Sequence, residues 1–280
     1  MNRPLTQSGV RLEPISPSNE RRAVDYLSRS PYVNVFLTYL ILHDAVPATR
    51  QRIWIALDGG RVCGAIYFGR QLSLACDEIA LEPIAREARR HRGERMIIGE
   101  RRTVRTFWEL IREWHQPPRL LRDRQLVMIL DRKRLRPYER TVPVRHARGD
   151  EWQAVATSSA LLIEQELSYD PRRAGADFTE NVRGMIERKL WWVGECDARL
   201  CFFCNIGPWC ERTAQLQGIW TPPDLRRLGL AASAFGGICD RLLDTSPTLS
   251  LYVNDFNEPA IALYQRTGFE HVANFQTLLF

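Results

Sequence analysis

The spacing of apolar residues switches repeatedly along the chain between alternation and a three-to-four repeat, and these switches lay out the elements. In the first half the pattern predicts a strand at 9–13, helices at 19–28 and 32–42, and a hairpin over 53–68 turning at Asp58-Gly59-Gly60. A helix at 82–91, a strand near 96–98, a helix at 103–114 and a strand at 125–130 follow. The second half opens with a strand at 144–147, an acidic, Ala-rich helix at 150–166 and a helix at 178–189, where Val182, Met185 and Ile186 fall at helical spacing. Residues 190–194 and 199–206 form a predicted hairpin with its turn near Asp197-Ala198. Then come a strand at 213–220, a helix at 231–243 and a strand at 249–253. Strands interleaved with helices in this way predict an α+β fold built on a mixed α/β sheet.

Two connections in the second half carry chemistry. The first is Thr221-Pro222-Pro223-Asp224-Leu225-Arg226-Arg227-Leu228-Gly229-Leu230-Ala231-Ala232, between a strand and a helix. The first N–H groups of a helix lack intrahelical acceptors, and the helix dipole adds positive charge there, so the turn favours a phosphate or diphosphate. Gly229 and Ala231 let a ligand approach the backbone, and Arg226 and Arg227 offer charge-assisted contacts. No Gly-Lys-Ser/Thr follows, and G-x-G-x-x-G is absent, so this is neither a P-loop nor a dinucleotide fingerprint. The second connection is Asn257-x-x-Ala260-x-x-Leu263-Tyr264-x-x-x-Gly268-Phe269. Asn257 suits a helix N-cap with Pro259 in the first turn, Ala260 and Tyr264 share a helix face, and Gly268 suits the helix end.

Together these segments resemble the two hallmarks of the GNAT superfamily of N-acetyltransferases. Arg226-x-x-Gly229-x-Ala231 is similar to its Arg/Gln-x-x-Gly-x-Gly/Ala loop, and the second segment matches Asn-x-x-Ala-x-x-Leu-Tyr-x-x-x-Gly-Phe at every fixed position. The resemblance covers the chain from near Val144 and implies a GNAT fold: a central, twisted and splayed mixed sheet flanked by helices. It implies acetyl-CoA as cosubstrate. The diphosphate would lie on Arg226, Arg227, Leu228, Gly229, Leu230, Ala231 and Ala232, and the pantetheine on the backbone of Ile219, Trp220 and Thr221. Asn257, Ala260 and Tyr264 would face the thiol end, with Tyr264 as general acid. The base is open. In one branch of the family a Glu stands where this chain has Tyr252, a side chain whose ordinary pKa is about 10, and strand 213–220 has no carboxylate. Glu166, at the end of the first long helix, is the remaining acidic candidate, beside a surface role for it and a base-free water chain. The activity implied is acetyl transfer to an amine of a small molecule, a protein lysine or a protein N-terminus, by direct attack in a ternary complex. A non-catalytic acyl-CoA-binding regulatory module and a transferase of another acyl or aminoacyl group are the alternatives. Loops at 164–177 and 208–213 would shape the acceptor site.

The halves differ in composition. Residues 1–140 hold 26 basic and 16 acidic residues, the remainder 13 and 17. The densest cluster, Arg86, Arg89, Arg90, Arg92, Arg95, Arg101, Arg102 and Arg105, is interleaved with Glu82, Glu87, Glu94 and Glu100 and reads as a solvated face; no nucleic-acid-binding motif accompanies it. The expected organisation is an N-terminal α/β domain at 1–140, either of its own kind or a degenerate GNAT-like copy, a linker at 132–143, and the GNAT domain at 141–280. The seven cysteines, with one Cys-x-x-Cys at Cys201 and Cys204, read as reduced core thiols, and no metal is expected. Residues 1–17 have no apolar core, and no run of 18 apolar residues occurs. The expectation is a cytoplasmic monomer or homodimer that meets no membrane.

Overall fold

The computed structural model describes residues 9–44, 46–167, 169–174 and 177–280. The expectation about a leader therefore lies partly outside the described residues, as do Ser168, Gly175 and Ala176 of the acceptor loop. The first half runs β1 (Arg11–Pro14), α1 (Glu20–Leu27), α2 (Pro31–His43), a one-turn α3 (Pro47–Arg50), β2 (Ile53–Asp58), β3 (Arg61–Tyr67), β4 (Gln71–Cys76), α4 (Glu78–Ala88), β5 (Met96–Glu100), α5 (Arg101–Ile111) and β6 (Leu120–Asp131). The second half runs β7 (Val144–His146), α6 (Trp152–Leu167), α7 (Asp177–Glu187), β8 (Trp191–Cys196), β9 (Arg199–Cys210), β10 (Thr213–Trp220), α8 (Leu230–Leu242), β11 (Thr248–Asn254), α9 (Glu258–Thr267) and β12 (Glu270–Leu279). Apart from α3, the two halves repeat one order of strands and helices.

Contacts divide the chain into two compact units. One comprises Met1–Val127, Tyr252–Phe256 and His271–Phe280, the other Met128–Leu251 and Asn257–Glu270. In the first unit β1, β2, β3 and β4 pair antiparallel in sequence order, β4 pairs with β5 in parallel, and β12 pairs antiparallel with β5, Leu278 opposite Ile97. Phe107, Ile84, Ile97 and Leu278 share one core of this unit, and Leu27, Ile41, Ile53 and Ile55 share another. In the second unit β7, β8, β9 and β10 pair antiparallel, and β10 pairs with β11 in parallel. Val155, Val182, Ile186, Trp191, Phe203 and Trp220 form a core here. Both units are mixed sheets flanked by helices.

Besides the one-turn α3, which was not expected, three elements depart from expectation. The strand β4 was not foreseen, although Gly69 marks a turn before it and the buried Leu72 and Leu74 alternate with Gln71 and Ser73. The helix α4 begins at Glu78, not at residue 82. Pro83 lies inside it, where a proline ordinarily marks a start or a break. The strand β6 begins at Leu120, five residues early. Its charged stretch is satisfied laterally: Gln276 donates to Asp123 at 2.7 Å and Arg124 to Asn274 at 3.0 Å.

Candidate functional site

The site starts at a discontinuity in β10. Its register with β9 shifts between Ala214 and Leu216 and again between Gln217 and Trp220, and Gly218 stands at φ +61°. A Cβ at residue 218 would meet the Asn205 Oδ1 at 2.3 Å and the Trp191 ring at 3.0 Å, so only glycine fits this bulge. Parallel pairing with β11 falls at the strands' early residues, Ala214↔Leu249 and Gln215↔Ser250. Beyond the bulge lie Ile219, half-buried, Trp220, buried, and Thr221 at the strand's exit.

The chain then makes a 3₁₀ turn, Pro223–Leu225, whose Asp224 accepts a two-pronged ion pair from Arg199 at 2.6 and 3.2 Å. Arg226 is tied down: its Nε donates to the Thr221 carbonyl at 3.0 Å, and its guanidinium lies 4.5 Å over the Trp220 ring. Arg227, by contrast, has no partner among the described residues, and its backbone sits at φ +64°, a conformation that costs a side chain-bearing residue about 1–2 kcal/mol. Gly229 caps α8 at φ +80°. The first bonds back to it come from the N–H groups of Ala232 (3.1 Å) and Ser233 (3.3 Å). The N–H groups of Arg227, Leu228, Gly229, Leu230 and Ala231 therefore meet no acceptor among the described residues. Arg226 to Gly229 are exposed, and Leu230, Ala231 and Ala232 half-buried. Five successive open amides thus stand at the positive end of a 13-residue helix, an arrangement that suits an anion.

The second motif folds as its residue types require. Asn257 Oδ1 accepts from the Ala260 N–H at 3.3 Å, and Pro259 lies in the first turn of α9. At the other end Gly268, φ +114°, donates to Gln265 at 3.1 Å while Phe269 donates to Tyr264 at 2.9 Å, a Schellman closure. A Cβ on Gly268 would collide with the Arg134 carbonyl. Tyr264 is buried, its ring 5.5 Å from Phe235 and 6.0 Å from Phe269, and its hydroxyl makes no hydrogen bond among the described residues. Burial pushes its pKa well above the ordinary range, and the neighbouring Cys204, Glu166 and Cys239 add to the push. Glu166, at the exposed end of α6, thus lies near enough for its charge to act on Tyr264.

Residues 143–269 match the model of the "Acetyltransferase (GNAT) family". This part of the chain is a GNAT acetyltransferase domain. Residues 51–155, overlapping its start, match a "Domain of unknown function (DUF4081)". No curated protein matches the chain. Solved structures do. An acetyltransferase of the GNAT family from Colwellia psychrerythraea is 11% identical, with 96% of this chain and 99% of that one covered at a TM-score of 0.59. A GCN5-related N-acetyltransferase from Sphaerobacter thermophilus is 14% identical, at 96% and 94% coverage and a TM-score of 0.58. A tandem GNAT protein from the clavulanic acid biosynthesis pathway is 16% identical, at 96% and 98% coverage and a TM-score of 0.55. At such identities the likeness is one of fold.

The structure of the GNAT domain adds residues that the sequence reading passed over. Gly218, Asn205 and Trp191 build the bulge of β10; the lone glycine inside a strand pattern was the available signal. Cys201 and Cys204 are both buried free thiols. Among the described residues no group of three or more His, Cys, Asp or Glu is placed to hold a metal ion, and no helix is long and apolar enough to cross a membrane.

Proposed function

We propose that the chain is an acetyl-CoA-dependent N-acetyltransferase of the cytoplasm. The five open amides of Arg227 to Ala231 carry this reading, because they match a diphosphate in charge and number of acceptors. Arg227 would add a guanidinium to the phosphates, and Arg226, pinned on Trp220, would hold the loop's shape. Past the bulge at Gly218, Trp220 pairs again with Phe203 of β9, while the pairs with β11 end at Gln215. Backbone groups of Ile219, Trp220 and Thr221 on the β11 side would bind the pantetheine, and the short parallel pairing of β10 with β11 would be the base of the splay that admits it. Asn257 and Ala260 support the face of α9 that carries Tyr264.

The donor supplies an acyl thioester. The acceptor amine must be neutral to attack, and the departing sulfur must gain a proton. Tyr264, kept protonated by burial and without a competing partner, would supply it. The ammonium proton would leave to Glu166, directly or through water. The acceptor is an amine of a small molecule or of a protein, attacked directly in a ternary complex. In this reading residues 1–140 form a second domain without a CoA site, and 141–280 the catalytic one. A regulatory acyl-CoA-binding module remains the second reading, favoured by one observation: β10 carries no carboxylate. Titration of acetyl-CoA into the full chain, followed by thiol release with a panel of amines and lysine peptides, separates the two. Tight binding with release on at least one acceptor is expected. Binding with no release on any acceptor would hand the site to the regulatory reading.

A further inference from the structure

The linker ahead of the GNAT domain is fastened to the helix that carries the open amides. Ser233, buried and one turn into α8, accepts from the N–H groups of both Thr141 (3.0 Å) and Val142 (2.9 Å). One turn further, the Tyr138 ring fills the space left by Gly236, where a Cβ would stand 2.5 Å from its Cγ. Asp240 then accepts from the Tyr138 hydroxyl at 2.8 Å, from Arg140 at 3.3 Å and from Arg132. Arg132 also reaches the Asp240 carbonyl and the Asp244 carboxylate, each at 2.6 Å.

At 3.6 residues per turn, Ser233, Gly236, Gly237, Asp240 and Asp244 line one face of α8. The buried apolar residues Ala234, Phe235, Ile238, Cys239 and Leu242 line the opposite face. The helix is thus gripped from two sides, by its own core and by the linker. The amides of Leu230 and Ala231 belong to this helix and move with it, so their convergence on a ligand depends on both grips.

We propose that residues 132–142 are a strap that positions α8, and that Tyr138 and Ser233 are positioning residues for the diphosphate held at its N-terminus. This rests on the acetyl-CoA reading above. Linkage makes the coupling reciprocal: a ligand on the open amides tightens the strap as much as the strap tightens the ligand.

The test uses the full chain and acetyl-CoA as probe. In Tyr138→Ala the calorimetric Kd for acetyl-CoA is expected to rise about tenfold, and Tyr138→Phe, which keeps the ring in the Gly236 groove, to return it to within about threefold of wild type. In the wild type, saturating acetyl-CoA is expected to slow hydrogen exchange of the Thr141 and Val142 amides by a similar factor of about ten. If Tyr138→Ala does not fold, Ser233→Ala takes its place with the same readouts. A wild-type Kd in the folded alanine variant, or exchange at 141 and 142 indifferent to bound acetyl-CoA, overturns the strap alone. A wild type that binds no acetyl-CoA overturns the donor reading and the strap with it.

Discussion

The junction between β10 and α8 has a counterpart in the first half, between β4 and α4, and the two differ at every point that matters for an anion. Nine residues separate β10 from α8, while Asp77 alone separates β4 from α4. Where α8 opens on Gly229 with five unused amides, α4 opens on Asp77, whose carboxylate accepts from the Tyr26 hydroxyl at 3.1 Å and lies 3.7 Å from Arg29, with Glu78 in the first turn. A helix N-terminus flanked by fixed negative charge repels what the other attracts. The strands differ likewise. β4 and β5 stay paired from Gln71↔Met96 to Leu74↔Gly99, whereas the β10–β11 pairs are Ala214↔Leu249 and Gln215↔Ser250. The following helices repeat the contrast. Counted from the N-caps Glu100 and Asn257, the position of Tyr264 in α9 is held by Phe107 in α5, fully buried and without a hydroxyl. One order of elements therefore does not entail one chemistry; the halves differ in the loop, in the strand pairing beside it and in the residue at the Tyr264 position.

The contrast can be broken most severely at its centre. Gly229→Glu places a carboxylate among the open amides at a φ only glycine adopts without strain. Acetyl-CoA affinity is expected to fall by at least about 100-fold. A Cβ there meets nothing within 4 Å, so the circular dichroism spectrum should be unchanged. Calorimetric affinity equal to wild type would remove the loop from the donor site.

Next in size is Tyr264→Phe, which makes α9 resemble α5. On the best acceptor of the amine panel kcat is expected to fall about 100-fold, the contribution of a positioned acid, with the Kd for acetyl-CoA within about twofold. The pH dependence has a definite sign. Burial raises the native tyrosine pKa above its unfolded value of about 10, so the neutral form is present throughout the neutral range. Its stabilising contribution is whole below pH 10 and declines as pH rises toward the native pKa. No loss of rate from tyrosine ionisation should therefore be seen below about pH 10. Unchanged turnover in the Phe variant would leave Tyr264 as packing.

The smallest effect tests the first half. Calorimetry should give one acetyl-CoA per chain, and Asp77→Asn should leave that stoichiometry alone while costing about 1 kcal/mol of stability in urea melts, through the weakened bond from Tyr26. A second equivalent bound by wild type or variant would mean that the β4–α4 junction is not closed to CoA.

Much of the site was legible because both motifs are local. The cap at Asn257, the Schellman glycine at Gly268 and the amide run at Arg227–Ala231 are set by residues within a few positions of one another. The hairpin turn at Asp58-Gly59-Gly60 and the strand Thr213–Trp220 were readable for the same reason. Features set by distant residues were not. Nothing near Gly218 in sequence announces that Trp191 and Asn205 press on it, and nothing near Gly236 and Gly237 announces Tyr138 and Val144. Two glycines inside a helix are unfavourable by about 1 kcal/mol each relative to alanine, which marks them only once the side chains they admit are known. The early start of α4 shares this cause, since Pro83 argues locally for a boundary that the buried Leu81 and Ile84 override.

The last strand has a consequence in time as well as in space. Leu278 belongs to the same buried core as Ile97 and Phe107, and β12 completes the hydrogen bonding of β5. On a ribosome adding roughly 5–20 residues per second, β5 emerges many seconds before β12 exists. Throughout that interval the edge of β5 is an open template, of the kind that recruits foreign strands. The first unit is left open by its own stretch of chain, and its sheet stays unfinished until residues 271–280 appear.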